Sequence, residues 1–527
     1  MERQEFHMND VEIEKDVTYY FLNKDFGESL TGIEISSLLR AKLFQKKLGI
    51  NPILATAAYN PRLQIHIQSL RNSGQLNVNC KIINLYEFFQ EVGNHEQKLP
   101  SKPNINNDKW LYKPVDHTKD NRTYDEKNNM ILYRKCDENG LLMYNNIFLN
   151  KKKVRRDTFD PNGFLSRTQH LDPITGKVTL ESYHRRDGSV CLYKYYKFNN
   201  DKSTVEGIHL IDKQGETTDT FQSETDLISF WLEKITESHS HSFFIIDKER
   251  VFYPALQKMD HQKMSIVCMI HSSHLQKDQD VIKGNLNSNY RLIFEDLSIP
   301  DAVIFLTNRQ KKHVEDRFGP RDNLLVIPHF AEDKPKVNFD RRIPLKAIYL
   351  ARYSEEKQHE NLIRVFHKVV QVHPTATLHF WGHGKEKHSL IKLIHELALE
   401  NNIFVNDFTG NLDPIYDSAS LAILPSKVEG ISLFLLESLS HGCPIVSYNI
   451  NYGPEDIIDD AINGYLVEPQ NQDEMTDRIV NLFWNRKKLE EMSMAAYTKA
   501  ATFQEESIAE KWASLIKQVL ESKYKHP

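Results

Sequence analysis

Two glutamates, Glu429 and Glu437, lie eight residues apart in the C-terminal half of the chain. Carboxylates accept hydrogen bonds from hydroxyl groups, so such a pair can hold a ligand at two points. Eight residues of continuous helix would turn one carboxylate by roughly 80° from the other around the axis, and Glu429 precedes the predicted helix. The spacing therefore predicts two ligand groups rather than one. The alternative is an exposed loop glutamate and a solvated helix glutamate.

The segment around this pair predicts a strand, a loop and a helix. We expect a strand over 418–425, a loop over 428–432, and an apolar helix that begins near Leu433 and ends at Gly442. Backbone N–H groups at a helix N-terminus favour a phosphate or a diphosphate. A diphosphate flanked by two acids that bind hydroxyl groups describes a nucleotide-sugar.

The length and composition indicate a globular cytoplasmic protein of two or three domains. A chain of 527 residues is too long for one core, and 40% apolar with 26% charged residues is an ordinary soluble composition. No apolar run reaches the ~18 residues that span a bilayer, and the N-terminus is too charged for a signal peptide. The five cysteines have no C-x-x-C spacing, so we expect core packing rather than disulfides or zinc.

The N-terminal part predicts a Rossmann-like domain with an insertion. A strand over 17–22, a helix after it and a strand over 51–57 form the start of a βαβ unit. Turn signals then recur at 138–140, 160–163, 172–176, 186–188 and 213–215. They predict a β-meander over 106–220. The first domain would comprise 1–105 and 221–335.

The C-terminal part predicts a second α/β domain over 340–505. Its expected strands are 345–350, 377–381, 403–406, 421–424 and 444–448. A single-faced apolar helix follows over 506–527. The chain is thus predicted to have an α/β fold of two doubly wound domains that face each other across a cleft.

The run 425–444 with Glu429 and Glu437, followed by Asn451-Tyr-Gly-Pro-Glu-Asp456 and Asn463–Pro469, resembles the E-x7-E signature of retaining family-four glycosyltransferases. More narrowly, it is similar to the poly(glycerol-phosphate) or poly(ribitol-phosphate) α-glycosyltransferases of wall teichoic acid. A sister group glycosylates serine-rich surface proteins. The resemblance implies a GT-B fold, a β-rich module at the insertion, and a terminal helix that crosses back to the first domain.

The resemblance also implies roles for the acids and the loop between them. Glu429 would bind hydroxyl groups of the donor sugar, and Glu437 would hold the ribose hydroxyls. The backbone amides of Gly430, Ile431 and Ser432 would contact the diphosphate. Many family members have glycine where Ser432 stands, and a serine preserves the loop unless a positive φ is required there.

Arg352 and Lys357 follow a predicted strand at its carboxyl end, where such sheets bind ligands. A leaving nucleoside diphosphate gains negative charge, so two fixed cations there would stabilise the transition state more than the ground state. The Arg-x4-Lys spacing matches the phosphate-binding pair of the resembling family. The alternative is that both are ordinary surface cations.

Two histidines follow a predicted strand of the first domain. His271 matches the active-site histidine of the resembling family, and His274 is a second candidate for the same site. The alternative for each is a structural histidine.

Four glycines are further candidates for donor binding. Gly27 and Gly32 lie in the turn after the first strand, and Gly32 matches a glycine-bearing loop of the family. Gly382 and Gly384 belong to a run that resembles the nucleotide-side loop. The run 406–408 departs from the usual Gly-Tyr or Gly-Phe of the uracil-facing loop.

A basic run on the insertion consists of Lys151, Lys152, Lys153, Arg155 and Arg156. One interpretation is a solvated turn, and the other is a track for a polyanionic acceptor. No aromatic stacking motif accompanies the run, so we expect no nucleic acid partner.

These features predict a retaining transferase that moves glucose or N-acetylglucosamine from its UDP form to a repetitive acceptor, without cofactor or metal. The acceptor is expected to be teichoic acid, and a serine-rich protein is the alternative. A non-catalytic partner subunit of a glycosyltransferase complex is the alternative of a different class. The resemblance further implies a homo-oligomer formed through the insertion. We also expect peripheral association with the inner face of the membrane.

Overall fold

The structure, a computed structural model, describes residues 16–92, 110–199, 202–276 and 280–525. The strands are β1 (Val17–Asn23), β2 (Ile53–Thr56), β3 (Ile82–Asn84), β4 (Leu111–Pro114), β5 (Asn121–Tyr124), β6 (Met130–Cys136), β7 (Leu142–Leu149), β8 (Lys152–Phe159), β9 (Leu165–Leu171), β10 (Val178–His184), β11 (Val190–Asn199), β12 (Lys202–Ile211), β13 (Thr217–Phe221), β14 (His241–Ile246), β15 (Met264–Ile270), β16 (Ala302–Phe305), β17 (Leu324–Val326), β18 (Lys346–Leu350), β19 (Thr377–Gly382), β20 (Ile403–Asp407), β21 (Leu421–Leu424), β22 (Ile445–Tyr448) and β23 (Gly464–Val467).

The α-helices are α1 (Gly32–Leu43), α2 (Leu63–Asn72), α3 (Leu85–Phe89), α4 (Glu224–Thr236), α5 (Glu249–Leu256), α6 (Arg291–Glu295), α7 (Asn308–Phe318), α8 (His359–Val372), α9 (Lys387–Glu396), α10 (Asp413–Ser418), α11 (Leu433–Ser440), α12 (Pro454–Ile457), α13 (Gln472–Trp484), α14 (Arg486–Ala500) and α15 (Glu505–Lys525). A π-helical turn, Phe44–Leu48, continues α1, and Gly49 ends it in the left-handed conformation.

The strands form two α/β sheets and one antiparallel sheet. The seven-stranded sheet has the order β17-β16-β15-β14-β1-β2-β3, and the six-stranded sheet has the order β20-β19-β18-β21-β22-β23. The strand pairs recorded within both are parallel, and their central strands are buried hydrophobic runs, as expected of sheets covered on both faces. The predicted α/β class with a β-rich insertion is confirmed.

The insertion is a ten-stranded antiparallel meander, β13 to β4 in unbroken sequence order. The predicted hairpin turns are confirmed: each turn glycine has a positive φ, for example 84° at Gly140 and 89° at Gly188. A positive φ costs glycine no steric strain, and it suits the right-handed twist of a hairpin. Residues 106–109 and 200–201 of the predicted span lie outside the described residues.

The chain divides into two compact units, one of which comprises Asp16–Lys42 and Asn51–Met264. Within it, the insertion is joined to the parallel strands and helices by buried contacts. Tyr86 packs against Tyr183 with ring centroids 4.7 Å apart. The Gln90 amide donates to the backbone oxygens of Ser166 and His184, each at 2.8 Å. These contacts fix the sheet on its support.

The other unit comprises Leu43–Ile50 and the chain from Ser265 onward. Its terminal helix α15 packs on the short segment that follows α1. The Trp512 ring meets the Phe44 ring edge-on at 5.3 Å, and Lys46 forms an ion pair with Glu505 at 2.5 Å. The predicted domain limits, including a separate segment over 506–527, stay predictions.

Three details differ from or add to the expectations. The strand β23 was not predicted, although it pairs with β22 along its length. Cys136 is only half-buried, whereas Cys80, Cys191, Cys268 and Cys443 are buried as expected. Among the described residues, no helix combines the length and the apolar character that a bilayer crossing requires.

A buried arginine holds the end of α11. Arg342 is 1% exposed and donates to the backbone oxygens of Tyr416, Ala419, His441 and Gly442. The last two carbonyls belong to the C-terminal end of α11, where the helix leaves acceptors unsatisfied. The guanidinium therefore fixes both α10 and α11.

Replacing this arginine should destabilise the protein. Arg342→Met would leave the buried His441 carbonyl without a donor, whereas the carbonyls of Tyr416 and Gly442 would keep hydrogen bonds from the Ala419 N–H and the Ser493 hydroxyl. An unsatisfied buried group costs about 1–3 kcal/mol, and we expect the melting temperature to fall by several degrees. Differential scanning fluorimetry measures the change. Arg364→Met is the matched control, because the Arg364 side chain forms an exposed ion pair with Glu360, which contributes little to stability. Equal melting temperatures for the two variants would contradict the assignment.

Candidate functional site

The loops that follow β18, β19 and β21 converge at one edge of the six-stranded sheet. Because these strands are parallel neighbours, their carboxyl ends lie together. The backbone N–H of Tyr353 donates to the backbone oxygen of His383 at 2.8 Å, and the backbone N–H of Lys427 donates to the backbone oxygen of Glu356 at 2.9 Å. Three loops that are distant in sequence are thus held side by side.

Two of the predicted glycines make this approach possible. A Cβ on Gly382 would lie 2.0 Å from the backbone oxygen of Ala351. A Cβ on Gly384 would lie 2.3 Å from that of Tyr353. Gly382 and Gly384 therefore allow the loop after β19 to touch the loop that carries Arg352.

The most buried charge pair of these loops joins Lys357 to Glu429. The Lys357 ammonium lies 2.5 Å from Glu429 Oε1, and the two side chains are 17% and 11% exposed. The Ser426 hydroxyl donates to the same oxygen at 2.8 Å and lies 2.9 Å from the Tyr349 hydroxyl. The structure therefore brings the predicted cation and the predicted acid together on one hydrogen-bonded chain.

Arg352 lies in the same loop as Lys357 but takes no part in this series of hydrogen bonds. Its guanidinium pairs with Glu356 at 3.3 Å, and its side chain is 52% exposed. An exposed ion pair of this kind contributes little to stability. The guanidinium is therefore accessible to a ligand.

Gly430 lies directly against the backbone that follows β15. A Cβ at this position would be 2.2 Å from the backbone oxygen of His271, a distance that real side chains do not show. On its other side, the backbone N–H of Tyr452 donates to the Glu429 oxygen at 3.2 Å. The loop is therefore held between two backbone segments.

The start of α11 has the geometry of an anion site. Ser432 is the N-cap residue, with φ −78°, so the serine meets no requirement for a positive φ. Within the described residues, no hydrogen bond is recorded from the backbone N–H groups of Gly430, Ile431 or Ser432. Unpaired N–H groups at a helix N-terminus are the usual seat of a phosphate.

Glu437 lies one helix turn further on and has a different partner from Glu429. The Tyr416 hydroxyl donates to Glu437 Oε2 at 2.5 Å. Burial raises the pKa of Glu437 to about 7, although the bond from Tyr416 acts in the opposite direction. The two glutamates share no recorded partner, in keeping with two separate ligand groups.

The two predicted histidines have different surroundings. His271 is 9% exposed, and its ring stacks on that of His329 with centroids 5.8 Å apart. His274 is fully buried between Phe294 and Tyr452, and burial lowers its pKa to about 3. His274 is thus a neutral packing residue in this structure, whereas His271 lies beside Gly430.

Two donor-site candidates do not belong to these loops. Gly27 and Gly32 belong to the other compact unit, and Gly32 is the first residue of α1. Phe408, in the loop that departs from the family pattern, is 58% exposed and meets the His383 ring edge-on at 6.1 Å. Its ring is accessible from solvent.

The basic run does not form a single patch, because successive residues of β8 point to opposite faces of the sheet. A β-bulge between Ile147 and Phe148 shifts the register of β7 against β8 and decides which of the cations share a face. Residues paired across neighbouring strands share a face, and successive residues of a strand alternate. The pairs Lys153–Phe148 and Arg156–Asn146 place Lys153 and Arg156 on one face, which we call the Lys153 face. Lys152 and Arg155 lie on the opposite face, the Lys152 face. Lys151 occupies the turn before them.

No group of three or more His, Cys, Asp or Glu side chains that could hold a metal ion occurs in the described part of the chain. Sequence reasoning missed His329, Ser426 and Tyr416. His329 follows β17, a neighbour of β15 through β16, so parallel strand ends could have indicated its position near His271. Ser426 follows β21 in the same way, but nothing in the sequence singles out Tyr416.

Comparisons with known proteins indicate the family of the chain. Residues 330–499 match the family described as glycosyl transferases group 1, and residues 20–213 match glycosyl transferase 1 domain A. The chain is 26% identical over 516 residues to the poly(glycerol-phosphate) alpha-glucosyltransferase of Bacillus subtilis, covering 96% of this chain and 76% of the relative. It is 25% identical over 484 residues to the poly(ribitol-phosphate) alpha-N-acetylglucosaminyltransferase of Staphylococcus aureus, covering 88% of this chain and 92% of that relative.

Solved structures show the same fold. A crystal structure of an S. aureus TarM mutant with UDP superposes with a TM-score of 0.81 at 21% identity, covering 95% of this chain and 99% of that one. A pneumococcal O-GlcNAc transferase with UDP and GlcNAc gives 0.74 at 19% identity, covering 96% and 99%. The chain has the GT-B fold and belongs to the group 1, or family-four, glycosyltransferases, among which it resembles the poly(polyol-phosphate) and serine-rich-protein enzymes.

Proposed function

We propose that this protein is a retaining hexosyltransferase that moves glucose or N-acetylglucosamine from a UDP-sugar to hydroxyl groups of a repetitive acceptor. One observation carries the proposal: the Lys357–Glu429 pair lies beside N–H groups at the start of α11 that have no recorded partner. A cation, an acid and an anion seat in one place suit a sugar linked to a diphosphate.

In the proposed complex, the N–H groups of Gly430, Ile431 and Ser432 bind the diphosphate, and Arg352 and Lys357 neutralise the charge that it gains on leaving. Glu429 accepts hydrogen bonds from sugar hydroxyls, and its salt bridge to Lys357 holds the carboxylate in one orientation. Positive side chains supply the charge that a metal ion would otherwise supply, so the reaction is proposed to need no metal.

Retention follows from a displacement on one face of the sugar. The acceptor hydroxyl attacks the anomeric carbon from the side that the diphosphate leaves, and its proton passes to the departing phosphate oxygen. The bond from the anomeric carbon to the diphosphate breaks, and a bond to the acceptor oxygen forms on the same face. No protein nucleophile is required.

Wall teichoic acid is the preferred acceptor in this proposal, since relatives named for poly(glycerol-phosphate) and poly(ribitol-phosphate) match over most of the chain. A serine-rich surface protein is the alternative, because relatives named as peptide N-acetylglucosaminyltransferase subunits also match. Arg352, Lys357, Glu429 and Glu437 are all present, which favours an active enzyme over a non-catalytic partner subunit. A homo-oligomer through the insertion and a place at the inner face of the membrane remain expectations.

The first test concerns the charge pair. Lys357→Met and Glu429→Gln should each lower turnover of the UDP-sugar about a hundredfold, since one charge-stabilising contact contributes ~3 kcal/mol. The double variant should lose less than the product of the two effects, because the side chains contact each other. Turnover is measured with UDP-glucose and UDP-N-acetylglucosamine in EDTA.

Lys368→Met is the control for this test. Lys368 pairs with Asp473 at 2.6 Å on the exposed side of α8, and its loss should leave turnover unchanged. Wild-type turnover in both site variants would show that the site is elsewhere. Turnover that EDTA abolishes and a divalent ion restores would overturn the metal-free mechanism.

The Lys153 face is the better candidate for a polyanion track. Within the described residues, neither Lys153 nor Arg156 has a carboxylate partner, and Arg156 lies over the Tyr144 ring at 4.2 Å. On the Lys152 face, Arg155 is neutralised by Asp157 at 2.7 Å. Unpaired cations attract a phosphodiester chain more strongly than paired ones.

Charge reversal on the two faces provides a matched comparison. Lys153→Glu with Arg156→Glu should raise the KM for polymeric teichoic acid several-fold at low salt, and the difference from wild type should shrink near 0.1 M salt, where the Debye length is ~10 Å. Lys152→Glu with Arg155→Glu carries the same net change on the other face and should have the smaller effect. Equal KM values for both variants and wild type would favour the solvated-turn interpretation. Preference for a serine-rich acceptor would favour the alternative substrate.

A further inference from the structure

We propose that Tyr416 is a positioning residue that fixes the carboxylate of Glu437 for the hydroxyl groups of the donor ribose. The inference deepens the proposed function and rests on the assignment of Glu437 to the ribose. Tyr416 is fully buried, and its hydroxyl donates to Glu437 Oε2 at 2.5 Å. It acts through Glu437 and does not touch the nucleotide itself.

The Tyr416 side chain has no freedom to move away from Glu437. Its ring stacks on His441 with centroids 5.1 Å apart and planes at 14°, and lies 6.0 Å from the Phe434 ring. Its backbone oxygen accepts a hydrogen bond from Arg342 at 2.9 Å. Tyr416 is thus held in place through both its ring and its backbone.

The stacked histidine is itself fixed by charges. His441 Nδ1 lies 2.7 Å from Asp417, and Nε2 lies 3.4 Å from Asp413. Lys334 joins Asp413 at 2.9 Å and Glu332 at 3.2 Å. The chain from Lys334 to Tyr416 therefore consists of side chains that each have defined partners.

The two carboxylate oxygens of Glu437 have different surroundings. Oε2 is occupied by Tyr416, whereas Oε1 has no partner recorded among the described residues and is not among the buried unpaired atoms. Oε1 is therefore open to accept hydrogen bonds from a ligand, and the Tyr416 bond decides its direction. A carboxylate held at one oxygen presents the other in one orientation.

The Tyr416 hydroxyl also stabilises the ionised form of Glu437. The groups that act on this carboxylate are Tyr416, Glu332, Lys334 and Asp413, with His441 and Asp417 beyond them. Burial raises the pKa of Glu437 to about 7, and the Tyr416 hydrogen bond lowers it. The pKa of Tyr416 is raised well above its usual range by burial, so the phenol stays a donor. Removing the hydroxyl must raise the pKa of Glu437 further.

The test compares Tyr416→Phe with Tyr448→Phe. Tyr448 is also fully buried, but its hydroxyl donates to Asn361 at 2.9 Å rather than to Glu437, so Tyr448→Phe loses a buried hydrogen bond of another side chain. Calorimetry gives the dissociation constant of UDP-glucose and UDP-N-acetylglucosamine across pH. If one hydrogen bond to a charge shifts the pKa by about one unit, the loss of binding in Tyr416→Phe is about fivefold greater near pH 7 than near pH 9, where Glu437 is ionised in both proteins and only the loss of orientation remains. Tyr448→Phe should follow the wild-type profile.

A donor whose ribose lacks both hydroxyls separates positioning from general damage. With this donor, Tyr416→Phe and wild type should bind equally at all pH values, because the group that Glu437 would hold is absent. An unchanged pH profile in Tyr416→Phe, or an equal loss with the dihydroxylated and the deoxygenated donor, would overturn the inference.

Turnover by the wild type tests the proposed function separately. A protein that binds the UDP-sugar with the predicted Tyr416 effect but transfers no sugar would refute the transferase and retain the inference. A wild type that binds no UDP-sugar would overturn both.

Discussion

The close contact between the backbones at Gly430 and His271 is the constraint on which the candidate site depends. A single methyl group at position 430 would collide with the His271 oxygen at 2.2 Å. Because this contact fixes the loop, Glu429 can meet Lys357 on one side and the N-terminus of α11 can remain unpaired on the other. Protein interiors are too closely packed to absorb such a collision without displacing the loop. Gly430 thus has a steric reason to be glycine, independent of any positive φ.

The charge pair follows from this placement, and in the proposed function it contributes to ligand binding and turnover rather than to stability. Lys357 and Glu429 are mostly withdrawn from water, and the cost of desolvating such a pair can equal the attraction between its members. Their value lies in being oriented before a ligand arrives, since a preorganised charge stabilises a transition state without rearrangement. The same reasoning applies to Glu437, whose partner Tyr416 is a neutral hydroxyl and leaves the carboxylate with a pKa of about 7.

Much of the fold could be predicted from local sequence patterns, because hydrophobic runs and turn glycines act over a few residues. The start of α11 at Leu433 and the turn glycines of the insertion are examples. Contacts between distant segments were harder to predict from the sequence. Tyr416 and Glu437 lie on separate helices, and their contact depends on how Arg342 holds α10 and α11 together. Which cations of the basic run share a face depends on one β-bulge, because a one-residue shift of register moves every later side chain to the other face. The roles of Lys357 and Glu429 were inferred from the family resemblance, whereas the contact between them is seen in the structure.

The most direct measurement is the affinity of UDP for the wild type and for Gly430→Ala, determined by calorimetry. Gly207→Ala serves as the control, because its Cβ would lie 4.0 Å from the nearest atom, an ordinary contact. We expect the wild type and Gly207→Ala to bind UDP equally. Gly430→Ala should bind at least about tenfold more weakly with unchanged circular dichroism, since the displaced loop would carry the diphosphate seat with it. Equal affinity in all three proteins would show that UDP does not bind at the start of α11.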